Sequence, residues 1–268
     1  TPTAAPAATA TATSEPAAAT VEPALRVLTL GKFQVIREGK AIDAGAWGSS
    51  RPRELLAFLL CHPNGCSREQ AGSALWPEAS AAQVRNSFHV TLHRLRKALG
   101  EGEWVTVVQD RYQLNPALTI ELDAERFEQE TTRALKQLEQ GGGGAALATA
   151  LELYRGDFLE GEPAGAWHLE FRDRWRRLFI EGQLSLAGWL LTEERAREAI
   201  AACRQVIARD PVHEEAWRRL MTAQARAGEP AQAIRSYHQL ADLLRTELDT
   251  VPDRATEELL SQLQSTPA

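Results

Sequence analysis

The sequence predicts a mainly α-helical protein with a small β part, in which a winged helix-turn-helix precedes an all-α domain of tetratricopeptide-like helices. Three observations carry this prediction. A basic helix is predicted over residues 80–100. The elements around it follow the order strands, three helices and hairpin. Residues near the carboxyl end recur with the 34-residue period of paired-helix repeats.

The segment 80–100 predicts an amphipathic helix. Five apolar residues recur at helical spacing and form one stripe: Val84, Phe88, Leu92, Leu95 and Leu99. Four cations, two histidines and an asparagine lie mostly off that stripe: Arg85, Asn86, His89, His93, Arg94, Arg96 and Lys97. No Asp or Glu occurs between Glu78 and Glu101, although the chain has a net charge of −6. An acid-free basic helix in an acidic chain indicates contact with a polyanion such as DNA.

Short strands are predicted before the helices, over residues 25–30 and 33–36, because apolar residues run or alternate there between turn residues. The first helix follows, with Ser50 as its expected cap and Pro52 in its first turn. The turn residues 62–65 end this helix.

Two capping boxes mark the next two helices. Ser67 with Gln70 opens the second helix, and Ser80 with Gln83 opens the basic helix. The spacing predicts that the second helix ends near Trp76, so that the basic helix is the third.

A β-hairpin is predicted after the basic helix. Residues 104–108 and 112–114 form its strands, and residues 109–111 connect them, which places Arg111 at the tip. Because an isolated two-stranded hairpin is marginally stable in water, it must pack on the helices. This hairpin is the wing of the predicted winged helix-turn-helix.

The rest of the chain predicts helices, with one break at residues 141–144. The pair Ala199–Ile200 recurs as Ala233–Ile234 at the repeat period, and small residues there allow the helices of a repeat to approach closely. Helices over about 124–180 are expected to complete the stack.

Composition divides the chain into three parts. Residues 1–24 are almost all Ala, Thr and Pro and predict a disordered linker. Residues 25–122 carry a net charge of +3, which favours a DNA-binding domain. Residues 123–268 carry −7, and the helical domain is predicted over 123–264.

Several classes of protein are excluded by what the sequence lacks. No apolar run reaches the ~18 residues of a membrane span, and no signal peptide is recognisable. Three cysteines, which cannot all pair, indicate a reduced, cytoplasmic setting. Nucleotide-binding and hydrolase motifs are missing, so neither an enzyme nor a cofactor is expected. Cys61, His62 and Cys66 lack the further ligands of a zinc site, so no metal is expected either.

Several blocks of sequence then resemble, in the right order, the antibiotic-regulatory type of bacterial transcriptional activator. These proteins join an OmpR-type winged helix to a bacterial transcriptional activation domain with tetratricopeptide-like repeats. The blocks cover about residues 25–264: Leu75–Pro77, Arg85–Gly100, Tyr112–Leu114, Leu153–Glu160, Asp210–Pro211, Glu214–Met221, Ala233–Tyr237 and Leu244–Leu248.

The resemblance implies a sequence-specific activator whose third helix enters the major groove of promoter DNA while the wing reaches the minor groove. Four residues are then expected at base edges: His89, Val90, His93 and Arg94. Four are expected at phosphates: Arg85, Asn86, Arg96 and Lys97. Arg111 is the expected wing contact, and the loop residues Trp76, Pro77 and Glu78 are expected to contact RNA polymerase.

The further expectations concern assembly and location. The helical domain is expected to mediate homodimer formation or contact with a regulator, and the protein to be associated with the nucleoid. Because Met221 is the only methionine, the chain is expected to have lost its beginning, with an upstream regulatory domain among the lost parts. The alternative function is a protein–protein scaffold that uses the helical repeats and has a degenerate winged helix.

Some cations admit a second interpretation. Arg96 and Lys97 could complement the dipole at the end of their helix. For Arg51 and Arg53 a surface role is favoured over phosphate contact. The run Arg172–Arg177 could form a second nucleic-acid patch, but ion pairs with Glu170, Asp173 and Glu181 are favoured.

Overall fold

The computed structural model describes residues 24–162 and 165–265. The linker predicted over 1–24 lies outside these residues, apart from Ala24. None of the described helices is long and apolar enough to cross a membrane.

The described residues form a small β part. The strands are β1 (Leu25–Leu28), β2 (Gln34–Arg37), β3 (Lys40–Ala41), β4 (Val105–Val108), β5 (Arg111–Leu114) and β6 (Ile120–Leu122). One sheet has the order β3-β2-β1-β6, and β4 with β5 forms a separate hairpin. Strand β6, which sequence patterning does not predict, runs parallel to β1 and pairs Ile120 with Leu25.

Helices make up most of the described chain, as predicted. They are α1 (Arg51–Leu60), α2 (Arg68–Leu75), α3 (Ala81–Leu99), α4 (Asp123–Glu139), α5 (Gly144–Leu151), α6 (Leu169–Thr192), α7 (Ala196–Ile207), α8 (Glu214–Arg226), α9 (Pro230–Leu248) and α10 (Arg254–Ser265). Short 3-10 turns at Ala44–Trp47 and Ala166–His168 complete them. The fold class is therefore confirmed: three helices with a sheet and a hairpin, followed by stacked helices.

The starts of the first three helices test the capping predictions. Both predicted capping boxes form, Ser67 with Gln70 at α2 and Ser80 with Gln83 at α3. The prediction that Ser50 caps α1 is wrong, because its backbone is already helical and its side chain makes no capping bond. The start of α1 depends instead on proline in its first turn, which needs no hydrogen-bond partner for its nitrogen.

The helix pairs α6–α7 and α8–α9 correspond to the two predicted repeats. Ala199 in α7 and Ala233 in α9 are fully buried, which allows close packing within each pair. The preceding pair α4–α5 extends the stack toward the amino-terminal part, as expected.

The two parts of the chain share one hydrophobic core, which extends from Leu25 in β1 to Leu244 in α9. Asp123, the first residue of α4, is buried and accepts hydrogen bonds from the backbone nitrogens of Thr29 and Leu30 at 2.7 and 3.1 Å. It also accepts from the Thr29 hydroxyl and from Arg155. The segment after α5 adds an antiparallel bridge between Leu30 and Phe158. These contacts fix the helical part relative to α3.

Candidate nucleic-acid interface

Helix α3 has one buried and one exposed side. Phe88, Leu92, Leu95 and Leu99 are buried, whereas Val84 at the amino-terminal end of the stripe is only half-buried. All eight α3 residues of the predicted interface are exposed: Arg85, Asn86, His89, Val90, His93, Arg94, Arg96 and Lys97. At 3.6 residues per turn they cover about half of the helix circumference.

The exposed side of α3 is cationic and lacks compensating acids. Within the described residues, Arg85, Arg94 and Lys97 make no ion pair. Arg96 also has no acidic partner there, but its Nη2 donates a hydrogen bond to the carbonyl of Val105 in β4 at 2.9 Å. This bond ties the end of α3 to the wing, and it leaves the positive charge of Arg96 uncompensated.

The carboxyl end of α3 is held by groups from distant parts of the chain. Arg37 in β2 donates from Nη1 to the carbonyl of Leu99, and the indole of Trp104 donates to the carbonyl of Gly100 at 3.1 Å. Gly100 has a φ of 81°, and a Cβ there would collide with the Arg37 guanidinium. The sequence offers no local sign of the role of Arg37, because it precedes Leu99 by 62 positions.

The amino end of α3 lies against α2 and the loop between them. Gly72 in α2 faces Val84 so closely that a Cβ would lie 2.3 Å from its side chain. In the loop, Pro77 and Glu78 are exposed, while Trp76 is half-buried with the Arg51 guanidinium 5.9 Å from its ring. Two of the three residues predicted to contact polymerase are therefore accessible on the surface beside α3.

The wing differs from the prediction at its tip. Gln109 and Asp110 form the two-residue turn, with φ values of 51° and 59°, so the prediction of Arg111 at the tip is wrong. Two consecutive positive φ values are typical of the tight turn whose twist matches the flanking strands. Arg111 is the first residue of β5, pairs with Val108, and donates to the carbonyls of Asn64 and Gly65. The tip thus presents an amide and a carboxylate.

The wing packs on the helices, as its marginal stability requires. Tyr112 in β5 exchanges two backbone hydrogen bonds with Cys66, at 2.8 and 2.9 Å, in the loop between α1 and α2. Its ring lies edge-on to Phe88 of α3, with centroids 4.6 Å apart. The wing and the exposed side of α3 therefore keep a fixed relative position.

The other cation clusters are engaged within the protein. Arg51 pairs with Glu54 and Arg53 with Glu162, and both arginines are half-buried, so they hold parts of the fold together and the predicted plain surface role is wrong. Two arginines of the run 172–177 are ion-paired, but with acids from other parts of the chain and not with Glu170, Asp173 or Glu181 as predicted: Arg174 pairs with Glu128 and Arg176 with Asp157.

Burial disfavours ionisation of the three thiols. Burial raises the pKa of Cys61 and Cys203 to about 12 and that of Cys66 to about 11. Thiols with such a high pKa are poor nucleophiles and metal ligands at neutral pH. Within the described ranges, no group of three or more His, Cys, Asp or Glu side chains is placed to hold a metal ion.

Comparisons with known proteins agree with this architecture. The chain is 30% identical over 253 residues to the regulatory protein AfsR of Streptomyces coelicolor. The matched region covers 91% of this chain and 25% of that protein. The chain thus spans about a quarter of the length of that curated relative. Its fold matches that of EmbR of Mycobacterium tuberculosis, solved in complex with a low-affinity phosphopeptide, with a TM-score of 0.73 and 23% identity over 92% of this chain and 67% of that one.

A family model matches the helical part. It describes the bacterial transcriptional activator domain and covers residues 122–264, which is more than half of the chain. The match confirms the resemblance to the antibiotic-regulatory type of activator. The chain belongs to the bacterial transcriptional activator domain family.

Proposed function

We propose that this member of a transcriptional activator family binds double-stranded promoter DNA through the exposed side of α3. One observation carries the proposal: this side presents eight exposed residues, four of them cationic, and none of these cations has an acidic partner among the described residues. Elsewhere, most of the arginines discussed above are neutralised by carboxylates. Cations without acidic partners, on a helix that can enter the major groove of DNA, favour a polyanionic partner.

The roles divide along the helix. His89, Val90, His93 and Arg94 are proposed to contact base edges, and arginine can bind guanine with two hydrogen bonds. Arg85, Asn86, Arg96 and Lys97 are proposed to contact phosphates, with Arg96 held in place by its bond to Val105. Arg111 is still proposed to be the cation through which the wing contacts DNA. It would do so from the side of the hairpin and not from its tip.

The remaining parts follow from this arrangement. Residues 25–122 would act as the DNA-binding domain and 123–264 as the activation domain, which mediates homodimer formation or contact with a regulator. Trp76, Pro77 and Glu78 would contact RNA polymerase next to the bound helix. A location in the cytoplasm, at the nucleoid, belongs to the same proposal.

A salt titration of binding to promoter fragments tests the DNA contact. Because phosphate contacts release counterions, the logarithm of the affinity should fall linearly with the logarithm of salt, with a slope of about −0.9 per contact. Binding that does not change with salt, or no binding to any promoter fragment, contradicts the proposal and favours a protein–protein scaffold.

Two substitutions separate the proposed roles of α3 residues. Arg94→Ala should cost about 1–3 kcal/mol and relax the preference at one base position. Lys97→Ala should weaken binding to all sequences alike and reduce the salt slope by about one. Arg197→Ala, which removes an exposed cation from α7, serves as the matched control and should change neither quantity. Equal effects of all three substitutions would contradict the assignment.

A further inference from the structure

The helical part contains a groove that the proposed DNA contact does not use. Helices α5 and α7 both pack on α6, and a groove of about 430 Å³ lies between them. Its lining includes small side chains, among them Ala145 and Ala148 of α5 and Ala201 of α7. This volume lies within the range of about 300–1,000 Å³ that is typical of sites for small molecules.

A side-chain amide without a protein partner in the described part of the chain lines the groove. Gln183 of α6 is only 7% exposed, and its side chain makes no hydrogen bond to any described residue. The neighbouring floor residues Leu186 and Leu190 offer no polar group. By contrast, the side chain of the buried Gln224 has a protein partner, because it accepts a hydrogen bond from the Ser236 hydroxyl at 2.9 Å. The amide nitrogen and oxygen of Gln183 are open to the groove, so a molecule bound there could hydrogen-bond to both without displacing a partner among the described residues.

The mouth of the groove carries no excess of positive charge. The Trp189 ring lies over Gly144, where a Cβ would be 2.3 Å from the ring, and the Arg195 guanidinium is 5.5 Å from the ring centroid. Arg195 is itself neutralised by two hydrogen bonds to Glu198. With Glu152 also at the mouth, an anionic ligand is disfavoured.

From these features we infer that the groove binds a small neutral molecule with an apolar body and an amide-type edge. Such an edge, as in a lactam or a primary amide, places an acceptor beside a donor and matches both atoms of the Gln183 side chain. The apolar body would lie along Leu186, Leu190 and the alanine walls. This site lies in the helical part and does not depend on DNA binding.

Benzamide is a suitable probe, because it combines an aromatic ring with a primary amide. In ¹H–¹⁵N spectra of the full chain, benzamide should shift the side-chain NH₂ signals of Gln183 saturably, with a dissociation constant in the millimolar range expected for about ten heavy atoms. N,N-dimethylbenzamide, which cannot donate, and benzoate, which is anionic, should bind at least about tenfold more weakly.

Three variants locate the binding. Gln183→Leu keeps the volume but removes the amide, and it should abolish the saturable shift of the indole N–H signal of Trp189, which lines the same groove. Ala201→Leu places a larger side chain at an exposed wall position and should block the groove without disturbing the core. Gln129→Leu, on the exposed side of α4, is the control and should bind benzamide like the unmodified chain.

Several outcomes would overturn the inference. One is the absence of a saturable shift of the Gln183 signals up to about 20 mM benzamide, since a specific fragment site should fill in that range. Another is unchanged binding in both Gln183→Leu and Ala201→Leu, which would identify adventitious binding only. Equal binding of benzoate would contradict the neutral, amide-type ligand.

Discussion

Asp110 lies at the tip of the wing, where the sequence predicted Arg111. It places a carboxylate at the tip of the hairpin, where the sequence predicted a cation. If the wing lies near the DNA backbone, Asp110→Asn should strengthen binding to all sequences by about 0.5–1 kcal/mol at low salt, the usual scale for an exposed charge. Asparagine tolerates the positive φ, so the turn is kept. Titrations of specific and unrelated duplexes measure the effect.

The control for Asp110 is Glu139→Gln, which removes an exposed charge from α4. It should leave DNA affinity unchanged. A loss of affinity in Asp110→Asn would instead mean that the carboxylate accepts a hydrogen bond from a base.

Asp157 controls a pH-dependent contribution to stability. Burial alone would raise its pKa, but the Arg176 guanidinium and the Tyr154 hydroxyl outweigh this effect and hold the pKa of Asp157 below its usual range. Because the folded-state pKa is lowered, its contribution is fully present above the unfolded-state pKa of about 4 and is lost as the pH falls through the folded-state value.

Asp157→Asn should therefore lower the free energy of unfolding by about 1.5 kcal/mol at pH 7, the lower end of the scale for a hydrogen bond to a charged group. The difference from the unmodified chain should shrink below about pH 4 as the unmodified carboxyl is protonated. Urea unfolding at several pH values measures this. If the difference in unfolding free energy stays constant below about pH 4, the loss comes from packing and not from the charge of Asp157.

At the scale of the element, the end of α3 depends on Gly100 and Arg37 together. Gly100→Ala forces a side chain into a backbone conformation that glycine alone adopts easily, and it displaces the Arg37 guanidinium from the Leu99 carbonyl. We expect a loss of about 2–3 kcal/mol in unfolding free energy.

The coupling between the two residues is testable by a double-mutant cycle. Arg37→Ala alone should cost about 1 kcal/mol, the scale of one hydrogen bond. The double variant should lose less than the sum, because Gly100→Ala has already removed that bond. Additive losses, measured by urea unfolding, would contradict the steric link.

The same elements show what the sequence could and could not predict. The capping boxes at Ser67 and Ser80 are local, since cap and partner are three residues apart, and both were predicted correctly. The amphipathic pattern of α3 is equally local. By contrast, the bond of Arg37 to Leu99 and the pairing of β6 with β1 join residues far apart, and no short pattern indicates them. The end of the wing turn was missed by one position, because turn residues without glycine leave the register open.

At the scale of the whole molecule, the shared core makes the chain one cooperative unit. The contact between the parts is almost fully buried. Leu30 in the sheet region bridges Phe158 before α6, and both of these residues and Thr29 have nearly no exposed surface. Thermal unfolding of the chain should therefore show one transition by both circular dichroism and tryptophan fluorescence. Two separate transitions would mean that the sheet-containing part and the helical part unfold independently.

Asp123 links the two parts through several hydrogen bonds, so its removal tests whether they unfold together. Asp123→Ala leaves two buried backbone N–H groups and the Thr29 hydroxyl without their acceptor, so it should lower the unfolding free energy by about 3 kcal/mol. Glu121→Ala removes a carboxylate two residues earlier that pairs only with half-exposed arginines, and it should cost less than about 1 kcal/mol.

The shape of the unfolding curve then separates two explanations for a loss in Asp123→Ala. If the parts remain coupled through their apolar contacts, the midpoint falls while the transition stays single, and DNA affinity below the midpoint is unchanged. If Asp123 is the main link, a second transition appears, since the parts then unfold separately. The continuous core from Leu25 to Leu244 favours the first outcome. Equal stability of the Asp123→Ala and Glu121→Ala variants would contradict the structural role of Asp123.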